Sequence, residues 1–238
     1  MAKYRDRLPQ LGGAPLLTDG GMETTLIFHE GIDLPHFASF DLLKDEAGRE
    51  VLRAYYRRFA RIARRAAAGF LLEGPTWRAN PDWGAKLGYD AAALDEANHQ
   101  AIDLMHELRD ELETPSSPIV LSGCVGPRGD GYDPGAIMSP EEAAAYHARQ
   151  IGVFARSGAD MIGAMTITNV NEAVGIVRAA RGEHMPVAIS FTVETDGRLP
   201  TGETLKDAVM AVDRKTDAAP VYYMINCAHP SHFGQSLD

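Results

Sequence analysis

Short apolar runs alternate along this chain with longer stretches whose apolar positions recur at helical spacing. The runs Pro15–Thr18, Gly69–Glu73, Ile119–Ser122, Met161–Met165, Val187–Phe191 and Val221–Asn226 predict strands that are apolar on both faces, the pattern of a parallel sheet covered by helices. The amphipathic stretches predict helices over Glu46–Ala67, Ala91–Glu113, Pro140–Ser157, Asn171–Arg181 and Glu203–Lys215. Ser139 before Pro140, with Glu141 and Glu142 in the first turn, is a well-formed helix start. Gly158 and Gly69 follow helices closely, where left-handed caps are expected.

Six strands and five crossovers leave two architectures open. A doubly wound open sheet is complete with five or six strands, whereas a (β/α)8 barrel needs eight, so the count favours the open sheet. The polar residues favour the barrel. They follow nearly every strand, at Asp19-Gly20-Gly21, Glu73 to Asn80, Gly123 to Asp130, Thr166 to Asn169, Thr192 to Asp196 and Asn226-Cys227. A barrel carries functional loops at every carboxyl end, while an open sheet concentrates them at one switch point. With no internal repeat, low-complexity tract or Pro-rich linker, residues 1–238 read as a single domain.

Composition narrows the partners. The chain has 238 residues, is 45% hydrophobic and carries a net charge of -10, which suits a globular core and argues against nucleic-acid or anionic-membrane partners. The basic run Arg53 to Arg65, interleaved with Tyr55, Tyr56 and Phe59, reads as a solvated helix face. No window approaches the roughly 20 apolar residues of a membrane helix. MAKYRDRLPQ has charge without an apolar core, so no secretory signal and a cytoplasmic location are expected. Cys124 and Cys227, the two cysteines, are then expected as thiols. The histidines form neither HExxH nor HxH, which gives a histidine-built metal site little support; His99 and His106 read as solvent-facing.

Four stretches could carry chemistry. After the first strand, Gly20 and Gly21 would let a ligand approach the backbone, and Asp19 could accept a proton or bind an amine; a tight turn with an Asp cap is the plainer reading. The long connection Leu71 to Tyr89 opens with Glu73, either an acid or amine ligand, or a structural carboxylate paired with Arg78. Ser122 to Gly135 is rich in glycine but lacks phosphate-loop spacing, so it reads as a flexible loop over a site, with Cys124 as a small buried residue. Cys227, at the mouth of the sixth strand, is a nucleophile, a soft ligand for zinc, or a small hydrophobe.

The ordered motifs DGGMETTL, SGCVGPRGDGY, TITNVNEA, ISFTVETDGRLPTGETL and MINCAHP resemble the homocysteine S-methyltransferase family, which includes betaine-dependent and S-methylmethionine-dependent enzymes. The likeness implies a TIM-type (β/α)8 barrel with zinc held by three cysteine thiolates at its carboxyl face. One thiolate comes from an Asn-Cys after the sixth strand, matched here by Asn226-Cys227, and two come from a Gly-Gly-Cys-Cys after the eighth. This chain contains no Cys-Cys pair, so the resemblance implies a barrel incomplete at its C-terminus, with about six βα units present. Open strand edges would then favour pairing with another copy, a homo-oligomer.

The activity so implied is methyl transfer from a sulfonium or quaternary ammonium donor to the thiol of homocysteine, in methionine biosynthesis, with zinc lowering the thiol pKa. Asp19, Gly20 and Gly21 would hold the amino-acid part, with Thr76 facing the site, and Asn169 and Glu172 match the family segment after the fourth strand. One position departs from the family: the Glu that binds the substrate amine is replaced by Met165. Either the substrate lacks the usual head group, or Glu73 takes over that role. The alternatives to the methyltransferase are a non-catalytic barrel fragment that binds a small molecule, and a metal-independent barrel enzyme using Asp19 and Glu73 as acid and base.

Overall fold

The computed structural model describes residues 1–234. It consists of two compact units, residues 1–124 with 153–161, and residues 125–152 with 162–238.

In the first unit, β1 (Leu16–Thr18), β2 (Gly69–Glu73) and β3 (Ile119–Val125, up to Cys124) run parallel in chain order. Register places Thr18 beside Leu71 and Glu73 beside Ser122. β2 and β3 are buried throughout, as their two-sided apolar pattern requires. Between β1 and β2 lie α1 (Met22–Thr24), a π turn (Thr25–His29), two 3-10 turns and α2 (Glu46–Arg65); between β2 and β3 lie α3 (Pro81–Lys86) and α4 (Ala91–Leu112). Asp45 starts α2 by accepting a hydrogen bond from the Gly48 N–H.

The basic run on α2 is only half a solvated face. Arg53 and Arg57 point outward to Glu46, Glu107, Glu50 and Glu111, in pairs worth little each at an exposed surface. Tyr55 and Tyr56 instead join Leu52, Ala60 and Ala63 on the buried face. The left-handed residue after α2 is Ala67 (φ 50°) and not Gly69. Gly69 already belongs to β2, where a Cβ would meet the Leu16 side chain at 2.8 Å, so close packing explains the glycine. Gly158 (φ 86°) does adopt the expected left-handed conformation. β3 runs three residues further than the sequence suggests, and a Cβ on Gly123 would meet the Phe154 ring at 2.5 Å. His106 is half-buried and not solvent-facing: its Nε2 lies 3.1 Å from the Ser157 carbonyl and its Nδ1 2.9 Å from the Arg109 guanidinium.

A buried polar hub ties the N-terminal segment to this unit. The fully buried Asp160 carboxylate accepts the Lys3 and Tyr4 N–H groups at 2.7 and 2.8 Å, the Arg109 guanidinium at 2.8 Å and the Leu121 N–H at 2.9 Å.

In the second unit, β4 (Met161–Ile167, from Ile162 on), β5 (Val187–Phe191) and β6 (Tyr222–Ile225) are again parallel and in chain order. The helices are the first turns of α5 (Pro140–Ser157), then α6 (Val170–Gly182), α7 (Leu205–Thr216) and α8 (Pro230–Phe233). Ser139 and Glu142 form a reciprocal capping box at the start of α5. Gly175 on α6 faces Ala143 on α5 so closely that a Cβ would lie 2.4 Å from the Ala143 Cβ.

Parallel strands in chain order within each unit, alternating with helices, are the βα units of a TIM-type (β/α)8 barrel, with six such strands among the described residues. The order decides against a doubly wound sheet, whose strand sequence reverses at a switch point. Among the described residues no helix is long and apolar enough to cross a membrane.

Candidate functional site

The carboxyl ends of β1 and β2 bring together three acids. Asp19 follows β1, Glu23 lies on α1, and Glu73 ends β2. Two tyrosines of α2 hold the backbone beneath them: the Tyr55 hydroxyl donates to the Gly20 carbonyl at 2.9 Å and the Tyr56 hydroxyl to the Glu73 carbonyl at 2.6 Å. Burial pushes the Asp19 carboxyl up to about 7, with Tyr55 opposing and the charge of Glu23 adding to the rise. Burial raises Glu73 further, to about 8; the Ser122 hydroxyl opposes this and Asp19 reinforces it. Glu23 is raised by burial too, against the Ser39 hydroxyl, which donates to it at 2.7 Å, and the charge of Arg78.

Glu73 is only 7% exposed, and neither of its carboxyl oxygens has a hydrogen bond of good geometry among the described residues. The Arg78 guanidinium stacks between Trp77 and Trp83, 4.0 and 3.7 Å from their ring centres, and its charge acts on Glu23. Thr76 is fully buried and donates its hydroxyl to the Cys124 carbonyl at 2.8 Å, which ties the loop after β2 to β3. Gly20 and Gly21 are exposed, as a backbone open to ligand would be.

In the second unit, one amide organises the carboxyl ends of three strands. The Asn226 side-chain oxygen accepts from the Thr166 N–H at 2.9 Å, after β4 bulges, and from the Ser190 hydroxyl on β5 at 2.7 Å. Its Nδ2 donates to Thr166 Oγ1 at 2.8 Å and reaches the Cys227 sulfur at 3.3 Å. Thr166 (φ 61°) and Cys227 (φ 54°) both occupy the left-handed region, costly for a β-branched residue and concentrated at functional sites. Cys227 is exposed, so its thiol is presented to solvent with an N–H donor beside it. Burial, with Cys227 as a neighbour, pushes the hydroxyl of Tyr132 in the glycine-rich segment up to about 12.

Asn169 caps α6 by accepting from the Glu172 N–H at 2.9 Å. Glu172, almost wholly buried, accepts from the Arg128 N–H at 2.7 Å and pairs with His147 at 2.9 Å, which anchors the glycine-rich segment. Thr166, Ser190, Tyr132, Tyr55, Tyr56 and Glu23 did not stand out in the sequence as site residues. Ser190 carried a usable signal, since a hydroxyl inside the apolar run VAISF must find a partner.

A zinc site needs three or four protein ligands. Among the described residues no group of three or more His, Cys, Asp or Glu could hold a metal. Cys227 supplies one thiol, while the His229 ring is engaged with Ser231 at 2.8 Å. These residues therefore do not fit a complete zinc centre by themselves.

A sequence model of the homocysteine S-methyltransferase family matches residues 16–238. A comparison with curated protein sequences returned no match. Among solved structures, the chain is similar to the homocysteine methyltransferase MmuM from Escherichia coli. Its metallated form is 21% identical over 92% of this chain and 77% of that one, with a TM-score of 0.75. The oxidized form is 22% identical over 97% and 79%, with a TM-score of 0.80. At that identity the likeness speaks to the fold, and the family match carries the rest: the chain belongs to the homocysteine S-methyltransferase family and is a methyltransferase.

Proposed function

We propose that the protein transfers a methyl group from a sulfonium or quaternary ammonium donor to the thiol of homocysteine. The observation that carries this reading is the Asn226-Cys227 arrangement: an exposed thiol, held in a strained conformation and hydrogen-bonded by the amide that joins three strand ends. In the reaction the acceptor sulfur, once deprotonated, attacks the methyl carbon. The C–S or C–N bond of the donor breaks, the donor leaves as a neutral sulfide or amine, and the thiol proton passes to a base or solvent.

Cys227 would offer zinc a soft sulfur ligand, and the existence of a metallated form of MmuM is in keeping with a metal in the family. The described residues form no group of three such ligands, so no step is assigned to the ion. Asp19, Glu73 and the backbone of Gly20 and Gly21 are read as the pocket for the polar head of the acceptor. Thr76 and Asn169 hold the loops after β2 and β4, and Asn226 holds Cys227. A cytoplasmic location fits this chemistry.

The test is methyl transfer to L-homocysteine from S-methylmethionine or betaine, with and without a zinc chelator. A second reading, acid-base chemistry by Asp19 and Glu73, is favoured by their carboxyls lying at about 7 and about 8, near the working pH. It predicts activity that survives chelation and is lost in Asp19→Asn.

A further inference from the structure

The glycine-rich segment 126–135 holds four glycines and two prolines, so its backbone has little preference of its own and takes its shape from what holds it. It lies in the second unit, where its Tyr132 has Cys227 as a neighbour. Asp130 and Asp133 brace turns within it, accepting from the Tyr132 and Gly135 N–H groups at 2.9 Å each. At Arg128 the segment is tied to the rest of the unit: the N–H donates to Glu172 Oε1 at 2.7 Å, and the guanidinium lies 5.1 Å from the Tyr146 ring centre.

The same carboxylate oxygen meets His147 Nε2 at 2.9 Å, while Asn169 Nδ2 reaches Oε2 at 3.4 Å. Glu172 is 4% exposed and His147 1%. They meet because α5 and α6 are pressed together at Ala143 and Gly175; one turn along, four residues after Ala143 and three before Gly175, stand His147 and Glu172. A carboxylate only accepts, so the ring donates its Nε2 proton and its Nδ1 is left as an acceptor. That Nδ1 is buried and has no hydrogen-bond partner among the described residues. An orphaned nitrogen is a cost that an apolar ring would avoid, so packing does not account for a histidine here, whereas its contact with Glu172 does.

We propose that Glu172 and His147 are positioning residues for methyl transfer: through the shared Oε1 they seat the glycine-rich segment beside Cys227 as a cover for the reacting sulfur. The use made of the cover rests on the methyl-transfer reading. His147 acts through Glu172, holding Oε1 toward the Arg128 N–H, and neither residue touches the reacting atoms. The cover matters because an anionic sulfur attacking a cationic methyl donor cancels charge as the new bond forms, and water around the separate charges opposes that. A seated segment keeps the water out. Bound substrates and a seated segment support each other, so loss of the seat raises KM and is overcome at saturation, where kcat is unchanged.

The experiment combines hydrogen exchange without substrate, read by mass spectrometry, with steady-state methyl transfer to L-homocysteine from S-methylmethionine or betaine, on the full-length protein and three variants. Glu172→Ala removes the acceptor. His147→Phe removes the orienting donor but keeps a ring, and His147→Gln keeps an N–H donor and serves as the rescue. Losing a hydrogen bond to a carboxylate shifts the balance between seated and unseated segment about tenfold or more. Residues 126–135 should therefore exchange about tenfold faster in Glu172→Ala, faster also in His147→Phe, and at the wild-type rate in His147→Gln, with exchange across β5 unchanged in all three. KM for homocysteine should rise in the same order at unchanged kcat. Wild-type exchange of the segment in both Glu172→Ala and His147→Phe overturns the seat. A lower kcat at unchanged KM, the mark of a partly unfolded enzyme, overturns it too, as does an equal effect of Phe and Gln at position 147. Should Glu172→Ala fail to fold, the two His147 variants decide alone. If the wild type transfers no methyl group, the methyl-transfer reading falls, and the exchange rates still decide the seat.

Discussion

The Asp160 hub makes the sharpest prediction about stability. Asp160→Ala removes a fully buried carboxylate that answers one guanidinium and three backbone N–H groups. Arg109, 5% exposed, would be left as a buried charge without its carboxylate, and stranding a charge this way costs about 3–5 kcal/mol. The Leu121 N–H, on a strand buried on both faces, adds about 1–3 kcal/mol as an unsatisfied donor. The Lys3 and Tyr4 N–H groups are partly exposed and recover water, so they add little. The sum, about 4–8 kcal/mol, is comparable with the whole stability of an ordinary domain. Urea denaturation followed by circular dichroism measures it. Asp160→Ala combined with Arg109→Leu should recover part of the loss, because no charge is then stranded, and the double-mutant cycle gives the coupling. A cost below about 1 kcal/mol for Asp160→Ala alone would refute the claim that Arg109 and the Leu121 N–H depend on this carboxylate.

The acids after β1 and β2 predict an unusual pH dependence. Carboxyls that titrate near 4 when unfolded and at about 7 and about 8 in the folded protein bind more protons folded than unfolded, so stability falls as pH rises through that window. His106, lowered by burial, acts oppositely, but its gain is complete by about pH 6.5, so the decline between about pH 7 and 8 belongs to the acids. Urea midpoints across that range should drop for the wild type, and Glu73→Gln should flatten the drop and be the more stable protein at the alkaline end. In the second unit, Gly175→Ala forces a methyl to within 2.4 Å of the Ala143 Cβ and 2.7 Å of the Ala144 nitrogen, where helix backbone must move. Its expected cost is about 1–3 kcal/mol in the same urea assay, and a neutral effect would mean that α5 and α6 are not packed as described.

Much of the fold could be read from the chain because the strands are buried on both faces. Gly69–Glu73 and Val187–Phe191 stand where the apolar runs place them, and α5 spans Pro140–Ser157 because Ser139, Pro140 and the two glutamates mark its start unmistakably. What sequence missed depends on tertiary contact. Gly123 and Cys124 look like the beginning of a loop, yet small residues are what a strand needs opposite Phe154. Tyr55 and Tyr56 were hidden among arginines, although Leu52, Ala60 and Ala63 at helical spacing marked the face they share. The site divides the same way. Asp19, Glu73 and Cys227 announce themselves as polar residues after apolar runs, whereas the left-handed Thr166 and the span of the Asn226 amide across three strand ends exist only once β4, β5 and β6 are side by side.

The central claim is that the Asn226-Cys227 thiol serves methyl transfer to homocysteine. The most direct measurement supplies methyl-labelled S-methylmethionine or betaine with L-homocysteine to the full-length protein and to Cys227→Ser, and follows labelled methionine. The expected result is label in methionine from at least one donor with the wild type, and only background with a variant whose circular dichroism is unchanged. Labelled methionine from Cys227→Ser at the wild-type rate, or none from either donor with the wild type, would contradict that claim.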